Sequence, residues 1–517
     1  MRAVISAFML LALTAMPAHA DDKSADAAKP RADVLKAEAE KAWPRPPVEE
    51  QAAVSKGSVA LRNGTVGYTA TAGTLTIRDD DGKPSASVFY TAYVKDGGAA
   101  NRPVSFFYNG GPGSASIWLH MGSFSPVRVS TENPTYVAPS QYALKPNPDS
   151  LIDKTDMVFI DAIGTGWSRP LGDKTGKDFW GVDQDAEAFA RAIIRYVDKN
   201  NRWQSPKVLF GESYGTLRNG AVAAQLEDRG LSLDGIVMLS TILNYGVELP
   251  GYDIGPLSMV PTYAATAWYH NRIANRPADL AKFIDEVRGW VSGPYAAALA
   301  KGTAISADEL TATARQLAAY TGLSEAFVRR ANLRIPLEQF QTELLRDRGV
   351  ATGRLDTRYL LNVGDANAAE PEDDAASTAT TGAYVSSFQS YVARTLGYKT
   401  DMPYKVSARD KDFDWDWKHR APGTRWPAQV PDTGLDLAYV MRINPTLKVL
   451  FLNGYFDAAT QFYATEYDID HLMLAEPLRK NITSRYYESG HMIYLNPAVL
   501  PKLHEDIAGW YDTATKR

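Results

Sequence analysis

The run Gly211-Glu212-Ser213-Tyr214-Gly215 lies between an apolar stretch, Val208-Leu209-Phe210, and a segment, Thr216 to Leu226, whose pattern predicts a helix. A G-x-S-x-G turn squeezed between strand and helix holds its serine in a strained, exposed backbone conformation. The flanking glycines are needed because a Cβ at either would clash with the adjoining strand or helix. Such a turn lifts the Ser213 hydroxyl to the carboxyl end of a parallel sheet, where α/β proteins bind their ligands. Ser213 is therefore the candidate nucleophile, and the strand-turn-helix setting weighs against an ordinary Gly-Ser turn.

The surrounding pattern supports such a sheet. Short, nearly continuous apolar runs mark strands buried on both faces: Val104 to Tyr108, Met157 to Ile160, Val208 to Phe210, Ile236 to Leu239, Val449 to Leu452 and Thr483 to Tyr487. Amphipathic stretches such as Gln184 to Val197 separate some of them, which predicts an α/β fold with a mostly parallel central sheet. Ahead of these lie alternating segments, Val66–Ala70, Thr74–Arg78 and Ala86–Val94, with Asp79-Asp80-Asp81-Gly82 as a hairpin turn. The sheet is thus expected to begin antiparallel. The gap from Leu239 to Val449 exceeds one crossover and reads largely helical, at Met259–Ile273, Ala278–Lys301, Ala307–Tyr320 and Ser324–Ala331. An acidic, Ala/Thr-rich stretch, 363–382, reads as a mobile loop. The division expected is a leader at 1–20, a flexible arm at 21–56, core at 57–245, a helical cap insertion at 246–430, and core again at 431–517.

Bulk properties narrow the compartment and partners. Arg2, the apolar run Val4 to Met16 and the small-x-small site Ala18-His19-Ala20 read as a secretory signal cut after Ala20. That run is too short to span a bilayer, and no later segment is long enough, so no membrane anchor is expected. The chain has no cysteine, which excludes thiol catalysis and thiolate metal sites. Together with the short signal this favours a bacterial periplasm or secreted fraction, and makes the N-x-[ST] matches at Asn63 and Asn481 chance. The net charge of −5, without a basic stripe, argues against nucleic acid. No cofactor is implied. Asp410 to Asp416, where acids alternate with Phe413 and Trp415, lacks the glycine and distal glutamate of a calcium loop and reads as inward-facing aromatics, so no metal is expected.

A serine hydroxyl needs a base, and the base needs an acid to orient it. Three of the seven histidines lie late enough to follow Ser213 and an acid, His471, His491 and His504. His471 and His504 fall in helical patterns, whereas His491 follows a strand and a Ser489-Gly490 turn. Val449-Leu450-Phe451-Leu452 leads into Asn453-Gly454-Tyr455-Phe456-Asp457, which puts Asp457 on the loop after that strand; a helix N-cap is its other use. Asp468 and Asp470 fall on the helix beyond. The glycine-rich turn Asn109-Gly110-Gly111-Pro112-Gly113 follows the strand 104–108 and can offer bare N–H groups to an oxyanion, with another from Tyr214.

Asn109-Gly-Gly-Pro-Gly113, Asp161-Ala-Ile-Gly-Thr-Gly-Trp-Ser168, Gly211-Glu-Ser-Tyr-Gly215, Asn453-Gly-Tyr-Phe-Asp457 and Gly490-His-Met492, in this order, resemble the serine carboxypeptidase family over about residues 57 to 517. The resemblance implies an α/β-hydrolase fold and release of C-terminal amino acids from peptides. It carries over Ser213, Asp457 and His491 as a triad and Gly111 and Tyr214 as oxyanion donors. Asn109, Gly110 and Glu212 would bind the substrate's terminal carboxylate. An ionised Glu212 would repel that group, so it must be protonated; burial beside the nucleophile favours this, and so does acidic pH.

The sequence departs from the family at two points. Ser123 stands where a second glutamate usually completes the carboxylate site, and Ser114 replaces a cysteine. The first change weakens the case for strict exopeptidase specificity and leaves an esterase or acyltransferase on the same scaffold as the alternative.

Overall fold

A ten-stranded mixed sheet organises the chain. The computed structural model describes residues 46–408 and 413–516; the leader, the arm as far as residue 45, and residues 409–412 of the acidic-aromatic stretch lie outside the described residues. The principal strands are β1 (Ala52–Leu61), β2 (Gly64–Arg78), β3 (Pro84–Lys95), β4 (Val104–Tyr108), β5 (Asp156–Ile160), β6 (Lys207–Ser213), β7 (Gly235–Thr241), β8 (Lys448–Gly454) and β9 (Ile482–Tyr487). Across the sheet they run β1-β2-β3-β5-β4-β6-β7-β8-β9, with Arg169–Pro170 pairing beside β3. The links among β1, β2, β3 and β5 are antiparallel, and every link from β5 through β9 is parallel. This is the α/β-hydrolase architecture that the motifs imply, and each apolar run falls within one of β4 to β9.

The main helices are α1 (Ile117–Gly122), α2 (Val182–Lys199), α3 (Tyr214–Asp228), α4 (Ile254–Tyr269), α5 (Leu280–Trp290), α6 (Ala307–Thr321), α7 (Ala375–Tyr391), α8 (Gly434–Ile443), α9 (Phe462–His471) and α10 (Leu500–Ala514). Period-two alternation divides the strand side chains between two layers. Phe106, Val449 and Phe451 join the cluster that includes Ile193 of α2, Val222 of α3 and Val440 of α8. Phe107, Leu450 and Leu452 join Leu503 and Ile507 of α10 on the other face. Phe107 stacks between Phe159 and Phe210, with centroids 4.8 and 4.6 Å away. Burial of each such ring contributes about 1.5–3 kcal/mol.

Three expectations need correction. Val66–Ala70 and Thr74–Arg78, read as two segments, belong to one continuous strand, β2, in which Gly73 pairs with both Ala52 and Tyr90. The sequence places the end of the arm at residue 56, but β1 already begins at Ala52. Before it, Glu50 ion-pairs with Arg195 and Lys199, each at 2.8 Å. The acidic stretch 363–382 is not loop throughout. Asp374 caps α7, accepting a hydrogen bond from Ser377 N (2.8 Å), so the helix takes over from Ala375.

Between β7 and β8 the chain leaves the sheet. Helices α4, α5 and α6 share a cluster around Tyr263, Phe283 and Leu317 that also takes in Tyr455 and Phe456 from the loop after β8. Helix α7 returns to the sheet, where Tyr384 and Phe388 join Phe124 and Trp167. Among the described residues, no helix is long and apolar enough to cross a membrane.

Candidate active site

Ser213 ends β6 and precedes the first residue of α3 with φ +61° and ψ −133°, a left-handed φ that non-glycine residues seldom adopt. The turn is tight enough to dictate its glycines. A Cβ on Gly211 would lie 2.1 Å from the Gly215 carbonyl oxygen, and one on Gly215 would lie 2.9 Å from that of Tyr108. The glycine-rich turn after β4 comes equally close, since a Cβ on Gly110 would lie 2.4 Å from Tyr214 N. The glycine-rich turn and the α3 N-terminus therefore lie against each other beside Ser213. Asp161 fixes the chain beyond the turn, with Oδ1 accepting from Ser116 N (2.8 Å), while Ser168 Oγ donates back to the Asp161 carbonyl (2.8 Å).

On the loops after β8 and β9, His491 Nδ1 lies 2.8 Å from Asp457 Oδ2. Asp457 is completely buried. Its Oδ1 accepts from Ala459 N (2.8 Å) and Thr460 N (2.9 Å), and its Oδ2 from Thr460 Oγ1 (2.8 Å). A carboxylate only accepts, so Nδ1 carries the proton and Nε2 of a neutral ring keeps its lone pair. Burial pushes the His491 pKa down, but the charge and hydrogen bond of Asp457 outweigh it and the net shift is upward. The other late histidines lie elsewhere: His471 stacks on Tyr467 within α9, and His504, in α10, lies 3.9 Å from Asp153.

Glu212, the residue before Ser213, is 2% exposed. Asn109 Nδ2 donates to its Oε1 at 2.8 Å. The Asn109 amide can face no other way, because its Oδ1 accepts from Leu119 N (2.8 Å). Oε2 of Glu212 makes no well-formed hydrogen bond among the described residues, but the Tyr494 hydroxyl stands close enough to Glu212 to favour its charged form. Burial pushes Glu212 up to about 7, helped by the charge of Asp457 and opposed by His491, Tyr494 and Asn109.

One cavity of about 320 Å³ is bordered by Asn109, Gly110, Gly111, Glu212, Ser213 and His491. Asp457 stands behind His491, and Tyr214, which follows Ser213, packs its ring edge-on against Trp415 at 5.3 Å. No direct hydrogen bond joins Ser213 to His491 among the described residues; both border the cavity. Ser123 is fully buried, and its hydroxyl donates to the Leu119 carbonyl. Several neighbours escaped the sequence reading. Thr460 holds Asp457, and Arg218, paired with Asp185 at 2.6 Å, donates to the Asn109 carbonyl at 2.6 Å. Arg354 and Asp374 also line the cavity. An Asp-Gln-Asp at the start of α2 and an arginine one turn into α3 gave no signal that they meet.

Fold and site define an α/β-hydrolase with a nucleophile elbow. Residues 63–232 match the family model described as serine carboxypeptidase. "Serine carboxypeptidase-like 44" of Arabidopsis thaliana is 28% identical over 152 residues, 29% of this chain and 29% of that protein. The match thus spans less than a third of that curated relative. Among solved structures, the chain resembles proline iminopeptidase of Mycobacterium smegmatis (14% identity, 86% of this chain and 98% of that one, TM-score 0.37). It also resembles the juvenile hormone epoxide hydrolase of the silkworm Bombyx mori (12%, 87% and 79%, TM-score 0.33). At such scores these likenesses add nothing to what the strand order establishes.

Proposed function

We propose that this chain is an exported serine carboxypeptidase of bacterial type that removes C-terminal residues from peptides. Ser213 attacks the last peptide carbonyl while His491 takes its proton, and the N–H groups of Gly111 and Tyr214 receive the oxyanion. His491 then protonates the leaving amino acid, water resolves the acyl-enzyme, and Asp457 keeps the imidazole in its working tautomer. The observation that carries this reading is that the Asn109–Glu212 pair borders the same cavity as Ser213 and His491. A carboxyl held near a pKa of 7 is protonated at mildly acidic pH and can donate to a substrate carboxylate. Export rests on the leader ending at Ala20, and amino-terminal sequencing of the secreted protein tests it.

The function is tested by mass spectrometry of a peptide mixture, comparing C-terminal acids with matching amides. Stepwise loss from free carboxyl ends is expected, with Ser213→Ala at least about 10³-fold slower. A fluorophosphonate probe should label Ser213. The esterase or acyltransferase reading is favoured by Ser123, whose buried hydroxyl cannot replace a carboxyl group. Turnover of small esters with peptides of every kind left intact would select it.

A further inference from the structure

The loop between the insertion's short strands, Val350–Thr352 and Leu360–Asn362, is bound by main-chain hydrogen bonds to both loops that carry Asp457 and His491. Arg354 O accepts from Ala458 N (3.1 Å), Leu355 O from His491 N (2.7 Å), and Thr357 N donates to Phe456 O (3.0 Å). Asp356 Oδ2 accepts from Gly490 N (3.2 Å) and pairs with Arg358 (2.6 Å), which donates to Glu488 O (3.0 Å). Packing leaves no slack, because a Cβ on Gly490 would lie 2.4 Å from the Cβ of Asp356. The N–H groups of Arg354 and Leu355 are held by Asp374 Oδ2, at 2.5 and 3.0 Å. The backbone of Arg354 is thus fixed relative to the imidazole and its acid.

Its side chain is exposed and lines the cavity shared by Ser213, Asn109 and Glu212. Among the described residues the guanidinium has no hydrogen bond or ion pair, and its charge acts on His491 on one side and Glu248 on the other. The acids at the rim are already engaged. Asp374 holds the N–H groups of Arg354, Leu355 and Ser377, and Asp373 accepts from Asp374 N (2.8 Å) and Thr378 Oγ1 (3.1 Å). A substrate carboxylate entering this cavity loses water and needs a compensating charge. Asn109 and a protonated Glu212 supply hydrogen bonds but no charge. A guanidinium matches a carboxylate in a bidentate fork.

We propose that Arg354 is the cation that receives the α-carboxylate of the substrate's last residue, in a site where Ser123 supplies no second acid. The proposal rests on the carboxypeptidase reading and adds a residue from the insertion to its specificity. The test uses the full chain and matched peptides in three forms: a free acid, its C-terminal amide, and an amide whose last side chain is acidic. Arg354→Gln should lose roughly 30-fold in kcat/KM on the free acid, mostly through KM, and change less than about twofold on the plain amide. Arg354→Lys should recover part of the loss. Fluorophosphonate labelling of Ser213 at the parent rate would show that the variants keep their site.

An unchanged acid-to-amide ratio in Arg354→Gln overturns the assignment and leaves the carboxypeptidase reading standing. So does a loss confined to acidic side chains, or one equal on all three peptides. A parent protein indifferent to the free carboxylate removes both ideas together.

Discussion

The loop after β8 surrounds Asp457 with donors: two main-chain N–H groups, the Thr460 hydroxyl and the His491 ring. The elbow after β6 gives Glu212 one well-formed hydrogen bond, from the Asn109 amide, with the Tyr494 hydroxyl close by. Both carboxyl groups are buried and both interact electrostatically with His491. What separates them is the number of donors each loop supplies, since donors stabilise the charged form and burial alone destabilises it. Four donors suit an acid that must stay ionised to orient an imidazole. A single well-formed hydrogen bond suits an acid that must hold a proton until substrate arrives.

The comparison breaks first at Asp457. Asp457→Asn keeps the shape but replaces the acceptor that fixes the His491 tautomer, so kcat should fall by about 10³–10⁴-fold. Steady-state kinetics on the best peptide measures this. A variant retaining a tenth of the parent rate would remove Asp457 from the role given to it here.

Glu212 should respond in the opposite sense. Glu212→Gln keeps a donor at every pH, so turnover of C-terminal amides should be nearly unchanged. In the parent, Glu212 ionises near pH 7, and KM for free-acid peptides should rise about tenfold per pH unit above that. The variant should lose that rise, giving about a tenfold advantage by roughly pH 8. Stability shows the same sign. A carboxyl raised from 4.5 to about 7 on folding contributes fully below its unfolded pKa. Its contribution is lost as pH rises through the folded value, because the native state then holds more protons than the unfolded chain. The difference in Tm between parent and variant should therefore shift in the variant's favour from pH 4.5 to pH 8. An invariant difference would mean that Glu212 is ionised throughout.

Much of this comparison is legible from local pattern. β4 to β9 declare themselves as apolar runs, and the elbow as two glycines flanking a serine, because each signal is contained within a few residues. The late histidines sort themselves by whether they continue a helix or follow a strand. The Gly353–Tyr359 loop leaves no such mark. Its ties to Ala458 and His491 are made by main-chain atoms that any residue supplies. β1 hides because its outward positions, Ala52, Val54, Lys56, Ser58 and Ala60, mix apolar, polar and charged residues without a clean alternation. The start of α7 was readable in principle, since Asp374 three residues before Ser377 is an N-cap spacing, but the acids around it suggested a loop. The Arg218–Asp185 pair joins two helices and has no local signature at all.

The smallest effect tests whether donor count is what distinguishes the two carboxyls. Thr460 Oγ1 donates to Asp457 Oδ2 at 2.8 Å and stands 3.1 Å from His491 Nδ1. Thr460→Val removes that donor and keeps the branched shape and the main-chain bond from residue 460 to Oδ1. One hydrogen bond of this kind is worth about 0.5–1.5 kcal/mol, so kcat should fall roughly 2–12-fold with KM little changed. The loss should be the same on free acids and amides, because Asp457 acts through His491 and never meets the substrate's end. A loss confined to free acids would tie Thr460 to the carboxylate site instead, and the division between the two buried carboxyls would have to be redrawn.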